Sequence, residues 1–538
     1  MKMRSGLSEN LIARVLGGAP KWTIAELEKR FPLRDLPDGA MVTRFAPSPT
    51  GFMHIGNLYG MMIDKKLAQQ SGGIFMLRIE DTDTKREVKG AIDVILKAAE
   101  RFGLIPDEGP GFDRAFHMQD KGDYGPYCQS ERKEIYHAVA AELLVRGMAY
   151  PCFLTEEEMD EIRGRQSAAG FATGIYGEWA KWRDAAEEEI IEKLDAGAVP
   201  SIRLYSFGSK EQRIFCKDAA RGSVAFPEND EDIVLIKSND RLPTYHFAHL
   251  VDDRFMRTTH VVRGDEWLPS LPLHVQMFNM MEWAPPVYIH TSTLDTIDSE
   301  TGKQRKLSKR KDREAAVDNL LEDGYPEEAA LEYLFNIANS AYEEDKAKRK
   351  VASIWDAELK IKKIPSSGAL FDRKKLEWWA KEFVATLSVD ELAARVWRYS
   401  EYYNKYWGAV SGKKDYLKSI LAIERDDPKH IRKDFITWKQ TLEEIAYFFD
   451  DLFQSVGGQE INKDVLMNFF SFFDFKDEKD LWWEKIEKIA AGLGIKNGDT
   501  AMALRFALTG RTQTPDLYSI MQVMGEERVR QRIEAAAR

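Results

Sequence analysis

The sequence predicts an α/β domain built on a parallel, doubly wound sheet, followed by an all-α half. Strand, loop, helix and strand patterns follow one another from residue 42 to residue 79, at the spacing of a parallel crossover. Strand patterns return between 233 and 263, after a charged segment of mixed pattern that indicates an insertion. From about Ala315 to the end, helical patterns dominate. A chain of 538 residues is expected to form several domains.

The elements before the insertion are predicted from apolar periodicity and from turn residues. Residues 1–40 are predicted to be an extension with a short helix, which begins at a capping box formed by Thr23 and Glu26. A proline-rich loop separates the first strand from the first long helix, and a Gly-Gly pair ends that helix. The predicted bounds are strand Val42–Phe45, a helix from near His54 to about Gln70, strand Ile74–Ile79 and a helix over about Val88–Phe102.

The later elements are predicted in the same way. Ser130 is predicted to cap a helix that ends at Gly147. The insertion has a helix-rich middle at 179–194, and the predicted strands after it are Ile233–Lys237, Thr244–His249 and His260–Arg263. His249, in the second of these strands, is expected to be structural. The aromatic clusters at 447–449 and 469–473 are expected to pack in a core rather than to stack on RNA.

Composition restricts the class of protein. No stretch approaches the roughly 18 consecutive apolar residues of a membrane helix, and charged residues interrupt the N-terminal apolar run, unlike a secretory signal. Three scattered cysteines, Cys128, Cys152 and Cys216, predict neither a disulfide framework nor a zinc site and favour a reducing cytosol. The net charge of −11 counts against a nucleic-acid binder, but charge acts over about 8–10 Å, so a local basic face is compatible with RNA binding.

The first motif that indicates chemistry is RFAPSPTGFMHIGN, from Arg44 to Asn57. It places a rigid proline loop before the start of a helix, where unpaired N–H groups suit phosphate. His54 and Asn57 lie three residues apart, so both can donate to phosphate oxygens from one side of the first turn. The alternative is a proline turn before a core helix, with His54 as an ordinary histidine. The full string favours the phosphate site.

The second motif is KLSKR, from Lys306 to Arg310, inside a stretch (303–311) with six basic residues out of nine. An isolated run of this kind is usually a solvated basic loop. Lysines at fixed places around Leu307 and Ser308 instead suit an attack on ATP, because they stabilise the negative charge that builds up on the phosphates.

Together the two motifs resemble the HIGH and KMSKS signatures of class I aminoacyl-tRNA synthetases. Further strings resemble the glutamyl-tRNA synthetases of that class: LRIEDTD (77–83), GPYCQSER (125–132), LPTYHFA (242–248), VDD (251–253), VVRGDEW (261–267) and LRFALTGRTQTP (504–515). The resemblance spans about Met41 to Arg538. It implies an N-terminal extension (1–40), a Rossmann-like catalytic domain (41–130 and 229–290), an inserted α/β acceptor-binding domain (131–228), a stem-contact region with the KLSKR loop (291–375) and a helical anticodon-binding domain (376–538).

The resemblance also implies roles for individual residues. Glutamate is expected to contact Arg44, Ala46, Ser48, Glu80, Tyr245 and Arg263; the two guanidiniums suit its side-chain carboxylate, and Glu80 would hold its α-amino group. ATP is expected at His54, Gly56, Asn57, Glu266, Leu294, Lys306, Ser308, Lys309 and Arg310, with His54, Asn57, Lys306 and Lys309 as the catalytic residues. Without the surrounding motifs, Glu80 would be interpreted as a solvated carboxylate, which is the interpretation given to Asp81 and Asp83. Tyr245 would be interpreted as a core aromatic residue and Arg263 as a member of a structural ion pair.

The implied reaction joins glutamate to the 3′-terminal adenosine of tRNA(Glu), and possible charging of tRNA(Gln) stays open. ATP with Mg²⁺ is the expected substrate complex, no zinc is expected, and the enzyme is predicted to be a cytoplasmic monomer without membrane contact. Asn57 replaces the usual fourth histidine and still offers an N–H donor. The alternatives are a glutaminyl enzyme, which has a β-barrel anticodon half, a shortened homologue that glutamylates a tRNA base, a small nucleotidyltransferase and an inactive RNA-binding paralogue.

Overall fold

The structure is a computed structural model. It describes residues 6–51, 53–83, 88–110, 120–308, 311–403, 405–425, 431–454 and 461–538, without the side chain of residue 314. These residues divide into two compact units. The first contains the described residues from 6 to 317 and from 334 to 371, and the second those from 318 to 333 and from 372 to 538.

The strands in chain order are β1 Val42–Phe45, β2 Ile74–Leu77, β3 Gly109–Pro110, β4 Asp120–Lys121, β5 Ala149–Cys152, β6 Ser201–Leu204, β7 Arg213–Asp218, β8 Gly222–Pro227, β9 Val234–Ile236, β10 His260–Gly264, β11 Val287–Thr291, β12 Leu294–Ile297, β13 Gln304–Lys306 and β14 Ala369–Leu370. Short 3-10 helices cover Gln129–Arg132, Gly177–Trp179, Asp265–Ser270, Arg313–Ala315, Ile361–Lys363 and Ala446–Phe448.

The α-helices are α1 Glu9–Leu16, α2 Ile24–Arg30, α3 Ile55–Ser71, α4 Ala91–Arg101, α5 Lys133–Val145, α6 Glu156–Ala168, α7 Glu187–Asp195, α8 Tyr245–Phe255, α9 Leu271–Met280, α10 Val317–Glu322, α11 Glu327–Ala338, α12 Tyr342–Ala347, α13 Arg373–Thr386, α14 Val389–Tyr403, α15 Trp407–Val410, α16 Lys414–Ala422, α17 Trp438–Glu444, α18 Lys463–Phe472, α19 Lys479–Leu493, α20 Asn497–Thr509, α21 Leu517–Met524 and α22 Glu526–Ala537. The described residues of the second unit contain helices and no strand.

The predicted parallel crossover is confirmed. β1 and β2 pair in parallel with Val42 opposite Ile74, and α3, which connects them, is buried along most of its length. β10 and β11 form a second parallel pair, and Thr259 N–H donates to Val42 O at 3.0 Å, which joins the two pairs. The hairpin of β7 and β8 extends the second pair through β11. The carboxyl ends of β1, β2, β10 and β11 therefore lie on one edge of the first unit, where ligands bind in open α/β sheets.

One predicted strand is a helix. Residues 244–249 were expected to be extended, but Tyr245 begins α8, and Thr244 is its N-terminal flanking residue. β-branched and aromatic residues favour a strand locally, whereas the apolar residues of the whole segment recur at helical spacing and bury one face: Phe247, Ala248, Leu250, Val251 and Phe255. Tertiary burial prevails over local propensity. His249 consequently lies on a helix.

Three other predictions need correction. Ser130 does not cap α5; it lies in a 3-10 turn and donates its hydroxyl and its N–H to the carboxylate of Asp81 (2.6 and 2.8 Å). Asp81 is therefore a buried hydrogen-bond acceptor rather than a solvated carboxylate. The segment 179–194, predicted to be helix-rich, is helical only in part: a 3-10 turn ends at Trp179 and α7 begins at Glu187. The capping box of Thr23 and Glu26 is confirmed.

Each unit has its own hydrophobic core. In the first unit one core combines α1, α2, α5, α8 and α9. In the second unit the core includes Tyr447, Phe448, Phe449 and Phe469, which confirms the core assignment for these aromatic residues. Phe472, from the second aromatic cluster, is exposed. In the described part of the chain no helix is both long and apolar enough to span a membrane.

The N-terminal extension packs against the C-terminal end of α8. Glu28 accepts hydrogen bonds from Arg254 at 2.7 Å and from Arg257 at 2.6 Å. Burial raises the pKa of Glu28, but the two guanidinium groups outweigh it and lower the pKa overall. Arg34 forms a bidentate pair with Glu108 and donates to the carbonyl of Met256. The extension thus supports the helix that carries Tyr245.

Glu28→Gln is expected to lower the free energy of unfolding by about 1–2 kcal/mol, because two guanidinium groups lose their charged acceptor. Urea unfolding of the full chain measures this change. Exposed Glu192→Gln, on α7, is the matched control and is expected to change stability by less than about 0.5 kcal/mol. Equal effects of the two substitutions would contradict the supporting role of Glu28.

Candidate active site

A single cleft of about 740 Å³ collects the predicted site residues. They reach it from the carboxyl ends of β1 and β10, from the loops that follow β1 and β2, from the starts of α3 and α8, and from the hairpin of β12 and β13. Every predicted site residue that the structure describes lines this cleft: Arg44, Ala46, Ser48, His54, Gly56, Asn57, Glu80, Tyr245, Arg263, Glu266, Leu294, Lys306 and Ser308. Lys309 and Arg310 lie outside the described residues.

The N-terminus of α3 is capped by the side chains of His54 and Asn57. His54 is the N-cap: its Nδ1 accepts from Gly56 N–H at 2.9 Å, while its own N–H donates to Asn57 Oδ1 at 3.1 Å. Since Nδ1 is the acceptor, the neutral ring carries its proton on Nε2, and Asn57 keeps its amide N–H groups as donors. A Cβ on Gly56 would approach His54 Nδ1 to 3.1 Å, so glycine gives the ring its room. The capping box thus fixes which atoms of His54 and Asn57 can donate.

The KLSKR motif begins on an ordered hairpin. β12 pairs with β13, and Leu307 N–H donates to Leu294 O at 2.9 Å. Arg305 forms a bidentate pair with Asp312 and also donates to Asp298 at 2.8 Å. Hydrogen bonds from Arg305 and the 300–301 turn lower the pKa of Asp298. These contacts hold the hairpin with Lys306 Nζ 3.6 Å from Glu266 Oε1, and both residues line the cleft.

A buried ion-pair network lies beneath the cleft. Asp253 Oδ1 lies 2.6 Å from Arg78 Nη1 and 3.4 Å from Arg44 Nε. Arg78 Nη2 also contacts Glu80 Oε1 at 3.2 Å. Burial raises the pKa of Asp253, but Arg78 and Arg44 outweigh it and hold the pKa well below its usual value. Burial also raises the pKa of Glu80. Arg78 and Arg44 lower it by a smaller amount, so the pKa of Glu80 stays above its usual value.

The neighbouring carboxylate, Asp252, organises the next layer. It accepts from Arg132 at 2.6 Å, from Gln129 at 2.8 Å and from the hydroxyl of Tyr136 at 2.9 Å. No role for Asp252 or Asp253 was predicted from the sequence. A helical interpretation of YHFAHLVDD would have revealed them, because Tyr245, His249 and Asp252 lie at i, i+4 and i+7 and share one face.

Arg263 is held by neutral groups. Its Nε donates to His290 Nε2 at 2.9 Å, and its Nη1 contacts His274 Nδ1 at 3.1 Å and Tyr245 Oη at 3.5 Å. Its Nη2 is buried without a hydrogen-bond partner among the described residues. Tyr245 packs against Trp267 at a centroid distance of 4.4 Å, and burial raises its pKa. His274, His290 and Trp267 were not among the residues predicted for the site.

The described residues form no cluster of metal-ligating side chains. No group of three or more His, Cys, Asp or Glu side chains among them is arranged to hold a metal ion. Cys128, Cys152 and Cys216 are buried free thiols.

A parallel-sheet domain whose cleft joins a capped helix start to a lysine-bearing hairpin is the architecture of a class I aminoacyl-tRNA synthetase. Residues 40–378 match the family model described as tRNA synthetases class I (E and Q), catalytic domain, and residues 398–537 match an anticodon binding domain. The chain belongs to the glutamate–tRNA ligase family.

Curated and solved relatives agree with this membership. The glutamate–tRNA ligase of Clostridium perfringens (strain 13) is 43% identical over 94% of this chain and 96% of the relative. That of Sorangium cellulosum is 40% identical over 94% of this chain and 96% of the relative. The crystal structure of a glutamate tRNA ligase from Elizabethkingia meningosepticum in complex with its amino acid matches with a TM-score of 0.75 and 28% identity, over 92% of this chain and 99% of that one.

Proposed function

We propose that this protein activates L-glutamate with ATP and transfers it to the 3′-terminal adenosine of tRNA(Glu). The observation that supports this most strongly is the convergence of the α3 start and the Lys306 hairpin on one cleft, whose floor presents Arg44, Arg263 and Glu80. One face of the cleft suits phosphates and the other suits an acidic amino acid, so both substrates of the activation step have complementary partners.

The glutamate site is proposed around two arginines of different character. Arg44 shares Asp253 with Arg78, whereas Arg263 contacts no carboxylate among the described residues. Both guanidiniums suit the side-chain carboxylate of glutamate. Ser48 and Tyr245 add neutral polar contacts, and Ala46 leaves room beside the substrate. Glu80 receives the α-amino group.

The nucleotide site is proposed on the opposite wall. His54 Nε2 and the amide of Asn57 donate to phosphate oxygens, and the backbone at Gly56 allows close approach. Glu266 receives the ribose and the backbone at Leu294 the adenine. Lys306, Ser308, Lys309 and Arg310 close over the triphosphate. Mg²⁺ enters with ATP and neutralises phosphate charge.

In the proposed reaction, an oxygen of the glutamate α-carboxylate attacks the α-phosphorus of ATP and pyrophosphate leaves. A hydroxyl of the terminal ribose then attacks the activated carbonyl, the ester forms and AMP leaves. The protein positions the reactants and stabilises the phosphate charge, without a side-chain nucleophile. We further propose that tRNA must be bound before the adenylate forms efficiently.

We propose the same domain roles, with the same bounds, as the sequence predicts. We also propose that the protein acts as a cytoplasmic monomer. The helical second unit favours the glutamyl over the glutaminyl enzyme, because the latter has a β-barrel anticodon half. Its presence also argues against the shortened homologue and the small nucleotidyltransferase.

Aminoacylation with radiolabelled glutamate, compared on purified tRNA(Glu) and tRNA(Gln), tests the proposal and decides the tRNA range. Glutamate should be esterified to tRNA(Glu), and glutamine should not. ATP–pyrophosphate exchange in the presence and absence of tRNA tests the ordered mechanism and separates a ligase from an inactive paralogue. Absence of glutamate-dependent exchange with every tRNA would refute the proposed function, and equal exchange without tRNA would refute the ordered mechanism.

Lys306→Ala is expected to slow adenylate formation about a hundredfold, because one charge that stabilises the phosphates is lost. Glutamate affinity should change by less than about twofold, since Lys306 is assigned to the phosphates and not to glutamate. Pre-steady-state exchange measures the first quantity and calorimetry the second. Lys303→Ala, three residues earlier, is the matched control and should leave both nearly unchanged. Lys309→Ala should behave like Lys306→Ala.

A further inference from the structure

Four histidines lie near the guanidinium of Arg263. Two of them contact it directly, and the other two contact one of these histidines. His274 and His290 contact Arg263 directly, at 3.1 and 2.9 Å. His246 Nδ1 lies 2.9 Å from His274 Nε2, and the ring of His249 packs against that of His274 at a centroid distance of 4.2 Å. His249, His274 and His290 are almost fully buried. The arrangement collects four of the nine histidines of the chain around one arginine.

The hydrogen bonds determine where the ring protons lie. A guanidinium has no acceptor, so His290 Nε2 and His274 Nδ1 must be the unprotonated nitrogens. His290 therefore carries its proton on Nδ1 and donates it to Asp218 Oδ2 at 2.7 Å. His274 carries its proton on Nε2 and donates it to His246 Nδ1. Two chains, Asp218–His290 and His246–His274, thus present lone pairs to Arg263.

The rings remain neutral for a physical reason. Burial, aided by the positive charge of Arg263, lowers the pKa of His246 to about 4, and burial also lowers the pKa values of His274 and His290. A protonated ring could not accept from Arg263. The environment therefore maintains the acceptor form that the geometry requires.

Neutral acceptors have an electrostatic consequence. A carboxylate beside Arg263 would orient it equally well but would also neutralise it, as Asp253 does for Arg78 and in part for Arg44. Imidazoles orient the guanidinium without cancelling its charge. Nη2 of Arg263 remains buried without a partner among the described residues, and the arginine lines the cleft. An unpaired buried charge is costly, so it strongly favours an incoming anion.

We propose that His274 and His290, oriented by His246 and Asp218, are positioning residues that hold Arg263 through neutral acceptors and so reserve its charge for the side-chain carboxylate of the substrate. This inference rests on the proposed function, in which that substrate is glutamate. On this inference, the enzyme prefers a substrate with an acidic rather than an amide side chain for two reasons. Arg263 is positively charged, and the histidines that contact it are neutral.

Two substitutions of His274, by residues that are isosteric with each other, test the inference. His274→Asn keeps a neutral acceptor near the position of Nδ1, whereas His274→Asp places a carboxylate of the same size there. The KM for glutamate should rise at least about 30-fold more in the Asp variant than in the Asn variant, because the introduced carboxylate competes with the substrate for the guanidinium. The preference for glutamate over glutamine should fall in the Asp variant alone, and the KM for ATP should stay within about twofold in both.

Equal KM values for glutamate in the two variants would overturn the inference, as would a parallel rise of the KM for ATP. If either variant does not fold, as judged by circular dichroism, His290→Gln and His290→Leu carry the test. Gln restores an acceptor near Nε2 and should retain glutamate affinity, whereas Leu should lose it about tenfold or more; equal affinities would overturn the inference. Wild-type protein assayed in parallel separates the two hypotheses: its failure to charge tRNA with glutamate would refute the proposed function instead.

Discussion

Arg263→Gln is expected to reduce kcat/KM for glutamate about a thousandfold, while the KM for ATP stays within about twofold. Arg263 is buried and lines the cleft, and its side chain contacts His274, His290, Tyr245 and the ring of Tyr288, none of which carries a negative charge. Its removal takes away a positive charge that no carboxylate of the described residues contacts. The substrate carboxylate would then be desolvated opposite neutral groups, which costs several kcal/mol.

Steady-state aminoacylation with varied glutamate measures this effect. Arg213→Gln is the matched control, because Arg213 is an exposed residue of β7, and it should leave both KM values nearly unchanged. Glutamine should become a relatively better substrate of the Arg263 variant, since the neutral site no longer favours an anion. A kcat/KM within tenfold of wild type would contradict the assignment of Arg263 to the glutamate carboxylate.

Asp253→Asn is expected to destabilise the protein by about 3–5 kcal/mol, because it leaves buried Arg78 without its principal charged partner. Arg78 and Asp253 are both almost completely buried and lie 2.6 Å apart. Arg44 and His249 contact the same carboxylate, so three cleft-supporting side chains lose their common charged partner. Urea unfolding followed by tryptophan fluorescence measures the loss.

The pH dependence follows from the lowered pKa of Asp253. A carboxylate whose pKa is lower in the folded than in the unfolded state contributes stability that is complete above the unfolded value of about 3.9 and is lost as the pH falls through the folded value. The difference in stability between wild type and Asp253→Asn should therefore be constant from pH 6 to 8 and should shrink only in acid.

Asp195→Asn makes the same chemical change at an exposed ion pair with Arg14 and is expected to cost less than about 1 kcal/mol. If Asp253→Asn is no more destabilising than this control, the buried network does not stabilise the first unit as described.

Local sequence was sufficient to predict the elements whose capping residues, terminating residues and apolar pattern all lie within or next to the element. The α3 helix has a capping residue, His54, a terminating Gly72 and a buried apolar pattern, and its predicted bounds were correct to within one residue. The parallel crossover followed from element order, since a strand, a helix and a second strand of this length pack in few ways. The cleft residues that were predicted, such as Arg44, His54 and Lys306, lie in motifs that occur as contiguous strings.

The interactions behind the cleft depend on residues far apart in the chain. His274 and His290 contact Arg263, and Asp218 contacts His290, only because β7, β10, β11 and α9 are brought together, and no short string contains these residues. The strand predicted at 244–249 was wrong for the same reason: its composition favours an extended chain, whereas burial of Phe247 and Val251 against distant elements selects a helix. Periodicity and turn chemistry are local, but the free energy that orients a buried charge comes from the groups that tertiary packing places around it.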